Sequence, residues 1–126
     1  MPNRFLIIDD DRDYLEILMM KLKSAGYKDI TGIDAPLEAA SRFDEGETFD
    51  IALIDVTMPE MDGIEAASLI WGKNPDAKII FSSGYADPAR LDELRRKGIK
   101  EVLRKPYKMN DLAEAIQNTM NISNHS

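Results

Sequence analysis

The stretch FLIIDDD, at residues 5–11, places four uninterrupted apolar residues directly before three acids. A short apolar run without alternating polar residues is typical of a strand that is buried on both faces of a parallel sheet. Three further runs have this character, namely IALI at 51–54, KIIF at 78–81 and EVL at 101–103. The more polar stretch YKDITGI, beginning at Tyr27, fits an edge strand. The sequence therefore predicts five strands.

The segments between these runs change to a helical period. Apolar residues recur three and four positions apart in two segments: Leu15, Leu18, Met19, Leu22 and Ala25, and later Met109, Leu112, Ala113, Ile116 and Met120. A further helix is predicted from Asp62-Gly63 onward. Strands that alternate with helices imply a parallel sheet covered on both faces, because right-handed crossovers place helices on either side. We therefore predict an α/β fold, a doubly wound five-stranded parallel sheet.

The length and composition indicate a single domain. The chain has 126 residues, and we assign residues 1–121 to the domain and residues 122–126 to a polar tail. Because cysteine is absent, the chain can form no disulfide, thiolate metal site or cysteine nucleophile. The first residues match neither a signal peptide nor a spanning helix, so we expect a cytoplasmic location and no membrane insertion.

The charges are segregated along the chain. A net charge of -7 disfavours direct binding to nucleic acids or membrane surfaces, because both need a basic footprint. The stretch from Arg90 to Lys108 nevertheless carries +5, so the remainder carries -12. We predict that this stretch forms a face for a downstream protein partner or for self-dimerisation. A solvated face without a partner is the alternative.

Polar residues follow four of the predicted strands. Asp9–Asp11 follow the first strand, Asp55 the third, residues 82–84 the fourth and Lys105 the fifth. In an open α/β sheet the ligand site lies outside the carboxyl ends of the strands. We therefore expect these four sets of residues to meet at one edge.

Three of the acids, Asp9, Asp10 and Asp55, are candidate metal ligands. Each follows an apolar strand, where burial makes an unpaired charge costly unless a cation neutralises it. Mg²⁺ suits such a site because it binds through one or two carboxylates and completes its shell with water and phosphate oxygen. Asp11 and Asp13 are expected only to cap the next helix or to solvate the surface.

Four motifs, IIDDD, IDVTMPEMDG, IIFSSGYAD and LRKPY, resemble the response-regulator receiver domain in their order and spacing. The resemblance covers nearly the whole chain. It implies a flavodoxin-like (βα)5 fold with strand order 2-1-3-4-5. It also implies a phosphoacceptor domain of a two-component phosphorelay, which is a signalling domain and not an enzyme, catalysing only its own phosphorylation and slow dephosphorylation.

The resemblance assigns roles to individual residues. Asp55 would accept a phosphoryl group from the phosphohistidine of a histidine kinase or phosphotransfer protein. Lys105 would pair with the phosphoryl oxygens, and the Ser83 hydroxyl would hydrogen-bond them after transfer. The lone histidine, His125, lies in the polar tail, so we expect the donor to be another protein.

The resemblance also implies the metal shell. Mg²⁺, or Mn²⁺ in its place, would be held by Asp10 directly, by Asp9 largely through water, by Asp55 and by the backbone carbonyl of Thr57. The ion would offset charge on the incoming phosphoryl group.

The sequence departs from the family pattern at Val102, three residues before Lys105, where the family often has Tyr or Phe. An inward-turning aromatic ring is therefore missing. We predict instead a switch led by the loop after Ser83, including Tyr85.

Two other functions are compatible with parts of the sequence. A phosphohydrolase could use Asp9 as its nucleophile, because Asp9–Asp11 contains the D-x-D that such enzymes place after their first strand. That interpretation leaves the motif DVTMPEMDG unexplained, and the chain has no evident cap domain. A pure interaction module would need a broken acidic site, whereas this one is intact in sequence. The sequence fits either a protein that acts alone or the receiver portion of a longer chain.

Overall fold

The structure is a computed structural model that describes residues 4–35, 38, 41, 49–56, 63–73, 75–83, 92, 93, 96, 102–105 and 107–122. Its elements are, in chain order, β1 (Phe5–Ile8), α1 (Arg12–Ser24), β2 (Ile30–Ile33), β3 (Ile51–Asp55), α2 (Gly63–Lys73), β4 (Lys78–Ser83), β5 (Val102–Arg104) and α3 (Met109–Ile122). In the two remaining crossovers, Glu38 and Ser41, and then Asp92, Glu93 and Arg96, are helical.

The five strands form one sheet in the order β2-β1-β3-β4-β5, and every neighbouring pair is parallel. The predicted α/β fold class and strand order are confirmed. The Tyr27 stretch contains the edge strand β2, as predicted. In this order β3 lies between β1 and β4, so Asp55 at its end is central to the carboxyl edge.

Apolar side chains alternate between two cores on opposite faces of the sheet. Along β1, Leu6 and Ile8 point into the core shared with α2, whereas Phe5 and Ile7 point into the core shared with α1 and α3. A strand buried on both faces has no solvent side, and this explains why β1, β3 and most of β4 lack polar residues until their last positions. The helices therefore cover both faces, as the doubly wound prediction requires.

Helix α1 begins at Arg12 and follows the predicted apolar pattern. The side chain of Asp11 caps it by accepting a hydrogen bond from the Tyr14 N–H at 3.1 Å, which confirms the expected capping role. Leu15, Leu18 and Leu22 are buried against the sheet. Gly26, at φ 105°, has the left-handed backbone conformation that ends many helices. Ala25 is exposed at the C-cap and not part of the stripe.

Helix α3 differs from its predicted stripe at one position. Leu112, Ala115 and Ile116 are buried, while Met109 and Met120 are half-buried against the same core. Ala113, predicted in the stripe, is exposed. The reason is that residues 112, 115, 116 and 119 lie on one face of the helix, whereas Ala113 is rotated away from the centre of that face by about one residue step, roughly 100°. The helix ends at Ile122, the first residue of the predicted tail, and residues 123–126 lie outside the described residues.

Three strands end later than the apolar runs suggest. β3 includes Asp55, β4 includes Ser82 and Ser83, and β5 is Val102–Arg104. Backbone pairing continues past the apolar residues, because the Val56 N–H donates to Ser82 O at 2.8 Å. The polar residues of the site are therefore the last residues of strands, held by the sheet itself. No helix among the described residues is both long and apolar enough to cross a membrane.

Candidate functional site

The carboxylates of Asp9, Asp10 and Asp55 meet at the carboxyl edge of the sheet. Asp9 directly follows β1, Asp55 is the last residue of β3, and these strands are neighbours with Ile8 opposite Ile54. One oxygen from each of the three carboxylates lies within 4.8 Å of the others. The predicted convergence of the first and third strands is therefore present in the structure.

Asp9 is the most deeply held of the three acids. Its residue is 2% exposed, and both carboxylate oxygens have partners. Oδ1 accepts from the Asp11 N–H at 2.9 Å, and Oδ2 accepts from Lys105 Nζ at 2.6 Å. A buried carboxylate is tolerated where a cation and a backbone donor both satisfy it. Asp10, in contrast, is exposed at the rim of the cluster.

Lys105 reaches both buried carboxylates. Its Nζ lies 2.6 Å from Asp9 Oδ2 and 3.4 Å from Asp55 Oδ2. Burial lowers the pKa of this ammonium, but the hydrogen bond that it donates to Asp9 and the charges of Asp9 and Asp55 raise it by more, so the net pKa is above that of an ordinary lysine. Lys105 is therefore a fixed positive charge in the site at neutral pH.

The end of β4 provides Ser82 and Ser83, both buried. Ser82 lies opposite Asp55 in the strand register, and the carbonyl of Ser83 accepts a hydrogen bond from the Lys105 N–H at 2.8 Å. Ser83 and Lys105 are thus linked through the backbone across the β4–β5 boundary. The structure brings together the predicted residues from the first, third, fourth and fifth strands.

Two tyrosines that sequence reasoning missed complete the site. Lys105 Nζ lies 4.4 Å from the centroid of the Tyr14 ring, and the Tyr107 ring packs edge-on against Tyr14 with centroids 6.1 Å apart. A signal existed in the sequence, because Tyr14 precedes Leu18 by four residues and so extends the sheet-facing stripe of α1. The first residue of such a stripe is the one nearest the ligand edge.

Several predicted residues lie outside the described residues. Thr57, expected to supply a backbone carbonyl to the metal, is among them, as is Tyr85, expected to take part in the switch. The basic stretch from Arg90 to Lys108 is only partly described, with Arg96, Arg104 and Lys108 exposed. The roles assigned to these residues stay predictions.

An open groove of about 320 Å³ lies beside β5 and α3, and its lining does not include Asp9, Asp10 or Asp55. It is lined by Val102, Leu103, Arg104, Tyr107, Asp111, Glu114, Ala115 and Asn118. Arg104 belongs to the predicted basic face, but Asp111 and Glu114 give the opposite wall negative charge. The described part of this face is therefore of mixed charge.

Residues 5–117 match the family model of the response regulator receiver domain. The response regulator receiver protein CpdR from Brucella abortus is 38% identical over 114 residues, which are 90% of this chain and 93% of the relative. A CheY-like receiver domain from Methanospirillum hungatei superposes with a TM-score of 0.85 at 27% identity, covering 99% of this chain and 98% of that one. The response regulator TrrA from Thermotoga maritima, solved in complex with Mg²⁺-BeF, gives a TM-score of 0.78 at 29% identity, covering 93% and 98%.

The chain belongs to the response regulator receiver domain family. It is a CheY-like signalling domain of a two-component system, and the resemblance found in the sequence is confirmed. The phosphohydrolase alternative is not favoured by any of these similarities.

Proposed function

We propose that Asp55 is the phosphoacceptor of this receiver domain and that a phosphohistidine on a histidine kinase or phosphotransfer protein is the donor. The observation that carries the proposal is the placement of Asp55 at the centre of the carboxyl edge, beside Asp9 and Asp10 and within 3.4 Å of the Lys105 ammonium. The arrangement combines a carboxylate nucleophile with positive charge that can approach a phosphoryl group.

Of the three acids, Asp55 is best placed to be the nucleophile. Both carboxylate oxygens of Asp9 accept hydrogen bonds, one from Lys105 and one from the Asp11 N–H. An attack by Asp9 on phosphorus would therefore disrupt one of these two hydrogen bonds. Asp10 lies exposed at the rim. Asp55 is buried at the end of the central strand, so the sheet fixes its backbone and its carboxylate lies within reach of the Lys105 ammonium.

In the transfer, a carboxylate oxygen of Asp55 attacks the phosphorus of the donor. The new O–P bond forms as the N–P bond breaks, and the electron pair returns to the imidazole of the donor histidine. Lys105 remains protonated and stabilises negative charge on the phosphoryl oxygens. The Ser83 hydroxyl is proposed to hydrogen-bond one of these oxygens afterwards. Because the Ser83 carbonyl accepts a hydrogen bond from the Lys105 N–H, the contacts of Ser83 and Lys105 with the phosphoryl oxygens can form together.

The charges of the site suit a divalent cation. Three carboxylates and one ammonium leave a formal charge of -2, and carboxylate oxygens are the ligands that Mg²⁺ prefers. We propose Asp9, Asp10, Asp55 and the carbonyl of Thr57 as its protein ligands, with Mn²⁺ as a substitute. When bound, the ion would supply electrostatic stabilisation of the transferring group. The Mg²⁺-BeF complex of TrrA supports this proposal.

For the output, we propose that the domain is a switch and not a turnover enzyme. Its downstream partner, or a second copy of the chain, would bind the face around Arg90 to Lys108. Exposed Arg104, next to the groove beside β5, supports this location. A cytoplasmic location, without direct contact to nucleic acids or membranes, is part of the same proposal. The test is whether Arg104→Glu weakens phosphorylation-dependent association in a salt-sensitive way while Lys73→Glu, on α2, does not.

Stoichiometry distinguishes this function from the phosphohydrolase. The protein is incubated with acetyl phosphate and Mg²⁺, and phosphate release is followed together with the intact mass. A receiver retains about one phosphoryl group per chain and releases phosphate slowly. Asp55→Asn separates the two, since it removes the residue that a receiver phosphorylates but leaves in place the Asp9 nucleophile of a hydrolase. Rapid release of many equivalents without a retained adduct would overturn the receiver proposal.

A further inference from the structure

The ammonium of Lys105 lies over the face of an aromatic ring. Its Nζ is 4.4 Å from the centroid of Tyr14, within the distance at which a cation is attracted by the negative face of the ring. We propose that Tyr14 is a positioning residue for Lys105 and that it keeps the ammonium inside the site while Lys105 exchanges carboxylate partners for phosphoryl oxygens. This inference rests on the proposed function of Asp55.

Tyr14 is fixed to the same turn that carries the carboxylates. Its N–H donates to the side chain of Asp11 at 3.1 Å, and the N–H of Asp11 donates to Asp9 at 2.9 Å. Asp9 in turn accepts from Lys105. The ring, the carboxylate and the ammonium therefore form one connected unit at the start of α1. A movement of the helix start would move the ring and Asp9 together.

Tyr107 packs against the same ring. It lies two residues after Lys105, and its ring meets Tyr14 at an interplanar angle of 89°. Both tyrosines pack against the core between the sheet and helices α1 and α3. Edge-to-face packing of this kind restricts both rings. The Tyr14 ring therefore presents its face to the Lys105 ammonium in a restricted orientation.

The Tyr14 ring matters because the Lys105 ammonium lies nearer to Asp9 than to Asp55. The two Nζ–Oδ2 distances are 2.6 Å and 3.4 Å. When Asp55 gains a phosphoryl group, the ammonium must leave Asp9 at least in part to contact the new oxygens. A flexible lysine without a second contact would populate other rotamers during this exchange. The ring limits that freedom, so its removal should slow phosphorylation.

The test compares Tyr14→Leu, which removes the ring, with Tyr14→Phe, which keeps it without the hydroxyl. The first readout is the proton chemical shift of the Lys105 methylene next to the ammonium, which a ring face moves upfield. We expect the upfield shift in the unaltered protein and in Tyr14→Phe and its loss in Tyr14→Leu. If Tyr14→Leu does not fold, Tyr14→Met, whose unbranched side chain has no ring and adapts to irregular spaces, replaces it.

The second readout is the rate of phosphorylation by acetyl phosphate with Mg²⁺. Loss of one cation–π contact should slow it by about threefold to tenfold in Tyr14→Leu, and Tyr14→Phe should restore it. Equal rates in the unaltered protein and Tyr14→Leu, or a Tyr14→Phe variant as slow as Tyr14→Leu, would overturn the positioning role. If the unaltered protein is not phosphorylated at all, the proposed function fails, while the lysine shift still reports whether the ring contacts Lys105.

Discussion

The Lys105 ammonium and the Asp9 carboxylate form a 2.6 Å ion pair in which the Asp9 side chain is 3% exposed. In the cluster of three acids, this lysine supplies the positive charge that a divalent cation would also supply. The two cations should therefore repel one another electrostatically, although the proposed phosphoryl transfer uses both.

The first prediction follows from that opposition. Replacing Lys105 with Met leaves the three carboxylates without their ammonium, so we expect Mg²⁺ affinity to rise by roughly tenfold while phosphorylation slows. Titration calorimetry measures the affinity. Lys73→Met, at the end of α2, is the matched control and should leave it unchanged. Unaltered or weaker Mg²⁺ binding in Lys105→Met would show that the lysine and the ion do not share this site.

The second prediction concerns pH. Burial is the main cause that raises the pKa of the Tyr107 hydroxyl, and its interaction with Tyr14 raises the pKa further. The hydroxyl lies near Tyr14 but makes no hydrogen bond of good geometry to another described residue. A raised pKa means that the neutral form contributes stability below the unfolded value of about 10, and that this contribution is lost as pH rises further. The free energy of unfolding should therefore fall above pH 10.

Tyr107→Phe tests this, because it removes the titrating group and keeps the ring. We expect the decline in unfolding free energy above pH 10 to become shallower by up to about 1.4 kcal/mol per pH unit. At pH 7 the variant should be as stable as the unaltered protein or more stable by about 0.5–1 kcal/mol, since a buried hydroxyl without a partner is removed. Urea unfolding followed by the fluorescence of the single tryptophan, Trp71, measures both quantities.

Tyr14, Tyr27 and Lys105 also have raised pKa values, so part of the decline in unfolding free energy should remain in Tyr107→Phe. An identical pH profile in Tyr107→Phe would contradict the prediction.

The third prediction compares two glycines. A methyl group at Gly32, in β2, would lie 2.5 Å from Met19 Sδ and 3.1 Å from Leu15 Cδ1, whereas one at Gly72, in α2, would meet no atom within 4 Å. Gly32→Ala should lower the free energy of unfolding by about 1–2 kcal/mol, because the side chains of Met19 and Leu15 must move out of a packed core. Gly72→Ala should raise it by about 0.5 kcal/mol through helix propensity. The same unfolding assay reports both, and a stabilising Gly32→Ala would show that the side chains of α1 adapt without cost.

The fourth prediction concerns the switch. Val102 lies opposite Phe81 in the strand register and packs, half-buried, against the core on the α2 side of the sheet. Its branched side chain is short and stiff about χ1, so it cannot swing as a ring would. We expect beryllofluoride with Mg²⁺ to cause its largest amide shifts at residues 84–87, and Val102→Ala to preserve this response. Loss of the response in Val102→Ala, together with an unchanged response in Tyr85→Ala, would place the switch at position 102.

Much of the fold could be predicted because both of its faces are buried. Strands without a solvent face consist of unbroken apolar residues, and this makes β1, β3 and β4 visible in the sequence. The rule that ligands bind at the carboxyl ends of parallel strands then predicts that Asp9, Asp55, Ser83 and Lys105 lie together.

The remaining features depend on tertiary contacts that a pattern does not contain. The exact ends of β3 and β4 follow from backbone pairing across the sheet, as between Asp55 and Ser82. Ala113 is exposed because it lies one residue step around the helix from the buried face, and the packing of α3 on the sheet decides which face is buried. Tyr14 was missed because its contact with Lys105 joins residues 91 positions apart, and apolar periodicity treats its ring as core.

The central claim is that Asp55 carries the phosphoryl group, and the most direct measurement is chemical trapping of the modified residue. The protein is phosphorylated with acetyl phosphate and Mg²⁺ and then reduced with borohydride, which converts an aspartyl phosphate to homoserine. Fragment mass spectrometry should find homoserine in place of Asp55 only, and none in Asp55→Asn or after Mg²⁺ is chelated. Homoserine in place of Asp9 or Asp10 in the unaltered protein, or an undiminished adduct in Asp55→Asn, would contradict the account.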